Sequence, residues 1–201
     1  QQQPMTLHNL FTYTSGLGYP SEYPDFLGLS FEKVIGLGDT IENGMRALAG
    51  FPLLFQPGDH WHYGFSGDVL GRVVEVISGQ PYDQFLKQRI FDPLRLKDTG
   101  FFVPTDQWDR LAEAYTLNSD GKLANATGRL PTLNSYKEDE TIYSGGGGLV
   151  STAGDYLRFG QMLLNEGELD DVRILKPETV KLMVRNHLTN DQGPLMSYAK
   201  G

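Results

Sequence analysis

The chain has 201 residues, of which 39% are hydrophobic and 21% charged with both signs interspersed. That suits one sizeable domain with a packed core, or one domain plus an appended piece. A formal net charge of −8 with no Lys/Arg run repels phosphate backbones, so nucleic acid and an anionic membrane surface are poor partners. The absence of cysteine excludes disulfides, thiolate nucleophiles and Cys-ligated zinc, and no apolar run approaches the length of a membrane span.

The opening residues, QQQPMTLHNLF, lack a charged region followed by an apolar one, so they do not read as a signal peptide. They also lack an initiating Met, and the numbering is expected to start inside a longer polypeptide. Thr6 is placed to cap a short helix carrying Leu7, Leu10 and Phe11. Gly16 to Gly38 is rich in Gly, Pro and aromatics and reads as a long loop or lid. Asp39 or Thr40 then caps a helix with Ile41, Met45 and Leu48 on one face, closed by Gly50. After the turn Gln56-Pro57-Gly58-Asp59 comes HWHYGFSGDVLG, in which Ser66 is placed to cap a helix that Gly79 ends. Pro81 opens another, carrying Tyr82, Phe85, Leu86 and Ile90. Thr99–Val103 is a predicted strand, and Ala114–Leu117 runs into the turn Asn118-Ser119-Asp120-Gly121. Leu123 to Tyr143 is polar and irregular. Ser151 caps a helix through Leu164, and Pro177 begins the last one. The helical spans expected are Asp39–Ala49, Ser66–Ser78, Pro81–Arg89, Thr152–Asn165 and Pro177–Asn186, with minor strands at edges.

Several features could carry chemistry. His60 and His62, two apart, share a face if extended and could bind metal, but no third ligand shows a supporting pattern, and polar residues leading into a helix explain them as well. Gly64-Phe65-Ser66-Gly67 misses the nucleophile-elbow pattern, because Asp68 stands where its last glycine belongs. A Ser and Lys one helical turn apart can work as nucleophile and base. The pattern occurs at Ser30–Lys33 and Ser197–Lys200, and with two fixed positions it arises by chance about once in a few hundred residues. Gly145–Gly148 lacks the tail of a phosphate-binding loop and reads as a close backbone approach or a flexible entry to the next helix. Tyr63 is one tyrosine of ten. Its phenol needs a nearby cation to act as a base at neutral pH.

Three segments in order change the weight on Tyr63. LFTYTSGLGY, FQPGDHWHYGFSGDVLGRVVEVISGQPYDQFLKQRIFDPLRLKDTGF and SGGGGLVSTAGDYLRFGQMLLNEGELDDVRILKPETVKLM together resemble the serine β-lactamase-like hydrolases, which include class C β-lactamases, DD-peptidases and family VIII carboxylesterases. The resemblance runs nearly the whole chain. It implies an α-rich α+β fold of the β-lactamase/penicillin-binding-protein kind, incomplete here: one domain fragment over 1–201 that holds mainly the helical subdomain and part of the α/β domain. In that family an S-x-x-K Ser and Lys perform acyl transfer, the Tyr of Tyr-x-Asn shares the base role, and a later Lys/His-Thr-Gly strand lines the pocket. Tyr63 falls on the family tyrosine, which makes it the catalytic candidate.

The departures from the pattern are informative. The family S-x-x-K lies before the segment matched by LFTYTSGLG, so Ser30–Lys33 is on the wrong side of it, and no Lys/His-Thr-Gly follows Met183. The nucleophile segment and the C-terminal strands are therefore expected outside this chain. Phe65 replaces the Asn of Tyr-x-Asn, which binds the amide of a β-lactam. As a substrate-binding wall it would be apolar, which shifts the expectation from β-lactamase to esterase. Tyr13 stands where relatives usually carry His. The resemblance thus implies a parent serine hydrolase acting on a small-molecule ester through an acyl-enzyme, with no metal or organic cofactor. A β-lactamase or D-aminopeptidase is the same-family alternative. A non-catalytic binding or scaffold protein lacking the nucleophile is the alternative from another class, and the fragment alone is expected to be inactive.

Overall fold

The computed structural model describes residues 3–23, 40–126, 136, 143–189 and 191–192. Ser30, Lys33, Ser197 and Lys200 lie outside them, as does Asp39. The first helix, α1 (Leu7–Phe11), begins at a reciprocal cap. Asn9 N–H donates to Thr6 Oγ1 at 3.3 Å and Thr6 N–H donates to Asn9 Oδ1 at 2.9 Å, which satisfies two otherwise orphaned donors. Thr40 caps α2 (Ile41–Leu48), which buries Ile41, Gly44 and Leu48 on one stripe.

The central helix is α3 (Ser66–Ser78), closed by Gly79 in the left-handed conformation. Here the expected cap is corrected. Phe65 stands at the cap position without a side-chain bond, and Ser66 is already inside the helix. Its hydroxyl is drawn inward to Ser15 Oγ at 2.8 Å, both residues being fully buried. A tertiary partner has outcompeted the local capping bond. Next, α4 (Tyr82–Leu86) continues through a π-helical turn, Lys87–Phe91, into α5 (Asp92–Leu94), which ends at Arg95 with φ +56°.

The expected strand at Thr99–Val103 reduces to a single bridge between Gly100 and Val150. Thr99 is instead tied to Asp155 Oδ2 at 2.9 Å, and Phe101 is sunk into the core. A 3-10 turn at Thr105–Arg110 precedes the hairpin of β1 (Tyr115–Leu117) and β2 (Leu123–Asn125). Tyr115 pairs with Asn125 and Leu117 with Leu123, so the start of the region read as irregular is a strand. Asn118 Oδ1 fixes the turn by accepting the N–H groups of Asp120 at 3.0 Å and Lys122 at 2.9 Å, an Asx turn. Thr152, not Ser151, caps α6 (Ala153–Leu164), and Ser151 bonds Thr99 instead. A small hairpin of β3 (Glu168–Leu169) and β4 (Val172–Arg173) leads to α7 (Pro177–Met183), three residues shorter than expected.

Two apolar clusters result. One gathers Leu86, Phe91, Leu94, Leu96, Phe101 and Met162 under α4, α5 and α6. The other gathers Leu10, Leu17, Leu48 and Phe65 among α1, α2 and the start of α3. Helix α3 packs on α1, α2 and α4 and so joins them.

Candidate functional site

The candidate site is built where residues 13–23 run against residues 60–66. The approach is close enough to demand glycine: a Cβ on Gly64 would lie 2.1 Å from the Leu17 carbonyl oxygen. His62 N–H donates to the Tyr13 carbonyl at 2.8 Å, and Gly58 N–H to the Thr14 carbonyl at 2.8 Å. Tyr13 is held at φ +56°, a conformation that is strained for a bulky residue. That backbone turn lays its ring flat on Tyr63, with centroids 5.3 Å apart and planes 8° apart.

Tyr63 itself is 37% exposed, with one ring face covered by Tyr13 and the ring edge met by Tyr19 at 5.9 Å. The Tyr19 and Tyr63 hydroxyls are hydrogen-bonded. Burial first, then the nearby Tyr63 and Asp68, push the Tyr19 hydroxyl well above the ordinary tyrosine value, so it keeps its proton. Burial likewise raises Tyr13, with Tyr63 and Asp68 adding to it.

Phe65 occupies a place different from the one expected. It has no exposed surface and packs edge-on to Tyr19 at 5.0 Å within the α1–α2 cluster. Tyr63 keeps exposed surface while Phe65, turning into the start of α3, is enclosed in the core, so Phe65 supports the tyrosines from beneath and offers no wall. The two histidines also part. His60 stands edge-on to Phe55 at 5.4 Å. His62 is buried, with Nε2 2.7 Å from Glu22 Oε1, although the ring nitrogen is too poorly aligned there to make a hydrogen bond. Among the described residues no group of three or more His, Asp and Glu could hold a metal ion.

The glycine run sits on α3, as a close approach requires. A Cβ on Gly145 would lie 2.2 Å from the Gly67 carbonyl oxygen, and one on Gly146 would lie 2.6 Å from Asp68 Oδ2. Asp68 is nearly fully buried and accepts from Ser144 Oγ at 2.5 Å and Gly146 N–H at 3.2 Å. Burial raises its carboxyl above the usual value, against the lowering effect of those two donors. Sequence reading missed Tyr19, Asp68 and the Glu22–His62 contact. The replacement of His by Tyr13 was the one signal that pointed toward this cluster.

A cleft of about 540 Å³ lies elsewhere, between Phe101, Phe102, Arg110, Tyr143 and Ser151, and none of Tyr13, Tyr19 or Tyr63 lines it. The convergence of polar groups favours the tyrosines.

Comparison with known proteins agrees on one class. The beta-lactamase family model matches residues 1–198. The chain is 36% identical over 191 residues to an uncharacterized protein of Mycobacterium tuberculosis (strain CDC 1551 / Oshkosh), covering 95% of this chain and 46% of that protein. It is 35% identical over 190 residues to a lovastatin esterase of Penicillium rubens, covering 92% and 45%. The solved structure of EstCE1, a hydrolase with promiscuous acyltransferase activity, superposes with a TM-score of 0.73 at 30% identity, covering 89% of this chain and 50% of that one. The chain spans about half the length of the curated relatives it matches. Its fold is that of the β-lactamase/penicillin-binding-protein class.

Proposed function

The chain belongs to the beta-lactamase family, and from that premise we propose that it is the interior part of a serine hydrolase that cleaves carboxylic esters through an acyl-enzyme. Esterases and an acyltransferase among the relatives support this reading. In this reading a serine outside the chain attacks the ester carbonyl, and its proton passes to a Lys–Tyr63 pair. The alcohol leaves with that proton, and water then releases the acid by the same exchange in reverse. Backbone N–H groups hold the oxyanion.

The observation that carries the proposal is Tyr63. The resemblance puts it on the family's tyrosine, and it is the most exposed member of a packed tyrosine cluster, with a stacked ring and a hydrogen-bonded oxygen. A base must be both fixed and reachable. The preference for ester over β-lactam rests on the esterases among the relatives and on position 65, where Phe stands in place of the family's Asn and supplies no amide donor.

The test is Tyr63→Phe in the full-length protein, assayed on a short-chain p-nitrophenyl ester. Turnover should fall by roughly 10²–10⁴-fold, the range for removal of a general base, with kcat and kcat/KM falling together and the fold intact. Near-normal turnover would remove Tyr63 from the base role. Intact-mass analysis after treatment with a phosphonate ester separates this reading from a non-catalytic scaffold, which would gain no adduct. A penicillin adduct that hydrolyses faster than the ester would favour a β-lactamase.

A further inference from the structure

Tyr63 does not stand alone. Glu22 spans the two strands of chain that meet at it: Oε2 accepts the Tyr19 N–H at 2.6 Å and Oε1 lies 2.7 Å from His62 Nε2. His62 is the residue before Tyr63, and its own N–H is bound to the Tyr13 carbonyl. One carboxylate thus binds the backbone of Tyr19 and lies against the imidazole of the residue before Tyr63. Beneath them the Tyr19 ring meets Phe65 at 5.0 Å, which fixes its tilt, and the hydroxyl of Tyr19 reaches that of Tyr63.

Resting on the reading of Tyr63 as the base, we propose that Tyr19 is its positioning residue, donating its O–H to Tyr63 Oη, with its own backbone held by Glu22. No bond to substrate is involved. A phenolate oxygen can accept this hydrogen bond and still take up the proton in transit. The bond strengthens when that oxygen carries negative charge, because a donor to an ionised acceptor is worth about twice one to a neutral acceptor. Tyr19 is suited to the role because burial keeps its hydroxyl protonated, so it remains a donor across the working pH range. Tyr13 contributes the stacked ring and Tyr19 the hydrogen bond, so the two restrain different motions of the same side chain.

Four full-length proteins test this: wild type, Tyr19→Phe, Tyr63→Phe and the double variant, assayed on a short-chain p-nitrophenyl ester with thermal unfolding alongside. Tyr19→Phe keeps the ring on Phe65 and removes only the hydroxyl. Its kcat is expected to fall about 10- to 100-fold, the loss for a hydrogen bond to a charged group, with KM and Tm close to wild type. Because Tyr19 acts through Tyr63, the double variant should be no slower than Tyr63→Phe alone. Glu22→Ala, which releases the Tyr19 backbone, should lower kcat in the same direction. An unchanged kcat in Tyr19→Phe beside a large loss in Tyr63→Phe would overturn the positioning role and leave the base assignment standing. Losses that multiply in the double variant, or that only track the loss of folded protein, would also overturn it. If Tyr63→Phe turns over normally, the base reading fails and this inference fails with it.

Discussion

The two halves of the molecule solve the packing problem in different ways. Under α4, α5 and α6 the interior is almost purely apolar, with Leu94 and Met162 fully enclosed, and cohesion comes from area removed from water. Around α1, α2 and the start of α3, the enclosed residues include Thr14, Ser15, Ser66 and His62 beside Phe65. Cohesion there comes from paired hydroxyls, a buried carboxylate–histidine contact and glycines that let backbones touch. An apolar core tolerates approximate geometry, whereas buried polar groups must meet their partners or leave an unsatisfied atom. The half that must hold Tyr63 in place is the half built from directional contacts.

Substitutions on the two sides should therefore differ in kind. The largest stability effect is expected at Phe65→Asn, which removes a fully buried ring and strands an amide beneath Tyr19. The loss should be about 3–5 kcal/mol, the range for truncating a buried Phe, read as a denaturation midpoint, and kcat of the surviving folded protein should drop too. A stable Phe65→Asn with altered substrate preference would instead mean that position 65 faces the substrate. Leu94→Ala, on the apolar side, should cost about 2–5 kcal/mol while kcat per folded molecule stays at the wild-type value. A kcat loss there would show that the two halves are coupled.

Gly145→Ala tests the seam between them. The added methyl meets the Gly67 carbonyl, and overpacking of this kind costs about 1–3 kcal/mol. The cost should be visible in Tm and should exceed that of Gly147→Ala, whose Cβ would meet nothing within 4 Å.

The smallest effect concerns Asp68. Its carboxyl is raised in the folded protein by burial, so the folded state binds a proton more tightly than the unfolded one does. Stability then declines as pH rises from the unfolded aspartate value, about 3.9, through the raised folded value, and stays lower above it. Asp68→Asn keeps an acceptor for Ser144 and Gly146 and cannot ionise. Its Tm measured from pH 3 to 7 should lack that decline, and an identical pH profile in both proteins would show that the Asp68 carboxyl titrates alike in the folded and unfolded chain.

Local chemistry placed much of the fold in advance. Thr6, Thr40 and Gly79 mark helix ends by hydrogen bonding and backbone freedom that act within a few residues, and Asn118-Ser119-Asp120-Gly121 makes its turn for the same reason. Apolar spacing was enough for α2, α3 and α6. Where two local options competed, the nearer pattern misled. Ser66 and Ser151 each resemble a cap, yet each hydroxyl found a partner about fifty residues away in sequence. The strand forecast at Thr99–Val103 gave way because Thr99 and Phe101 had stronger engagements in the core and with Asp155.

At the site the division is the same. Tyr63 was legible through its motif, whose spacing is written in consecutive residues. The inward direction of Phe65, the flat stacking of Tyr13, the Tyr19 hydrogen bond and the Glu22–His62 contact were not. Each depends on two segments some forty residues apart lying in contact, and no periodicity or cap records such a meeting. The sequence by itself determined the helices, their ends and the tyrosine to watch, because those follow from forces acting along the chain. Only the tertiary structure decided what surrounds that tyrosine, because burial and long-range hydrogen bonds exist only once the chain has closed on itself.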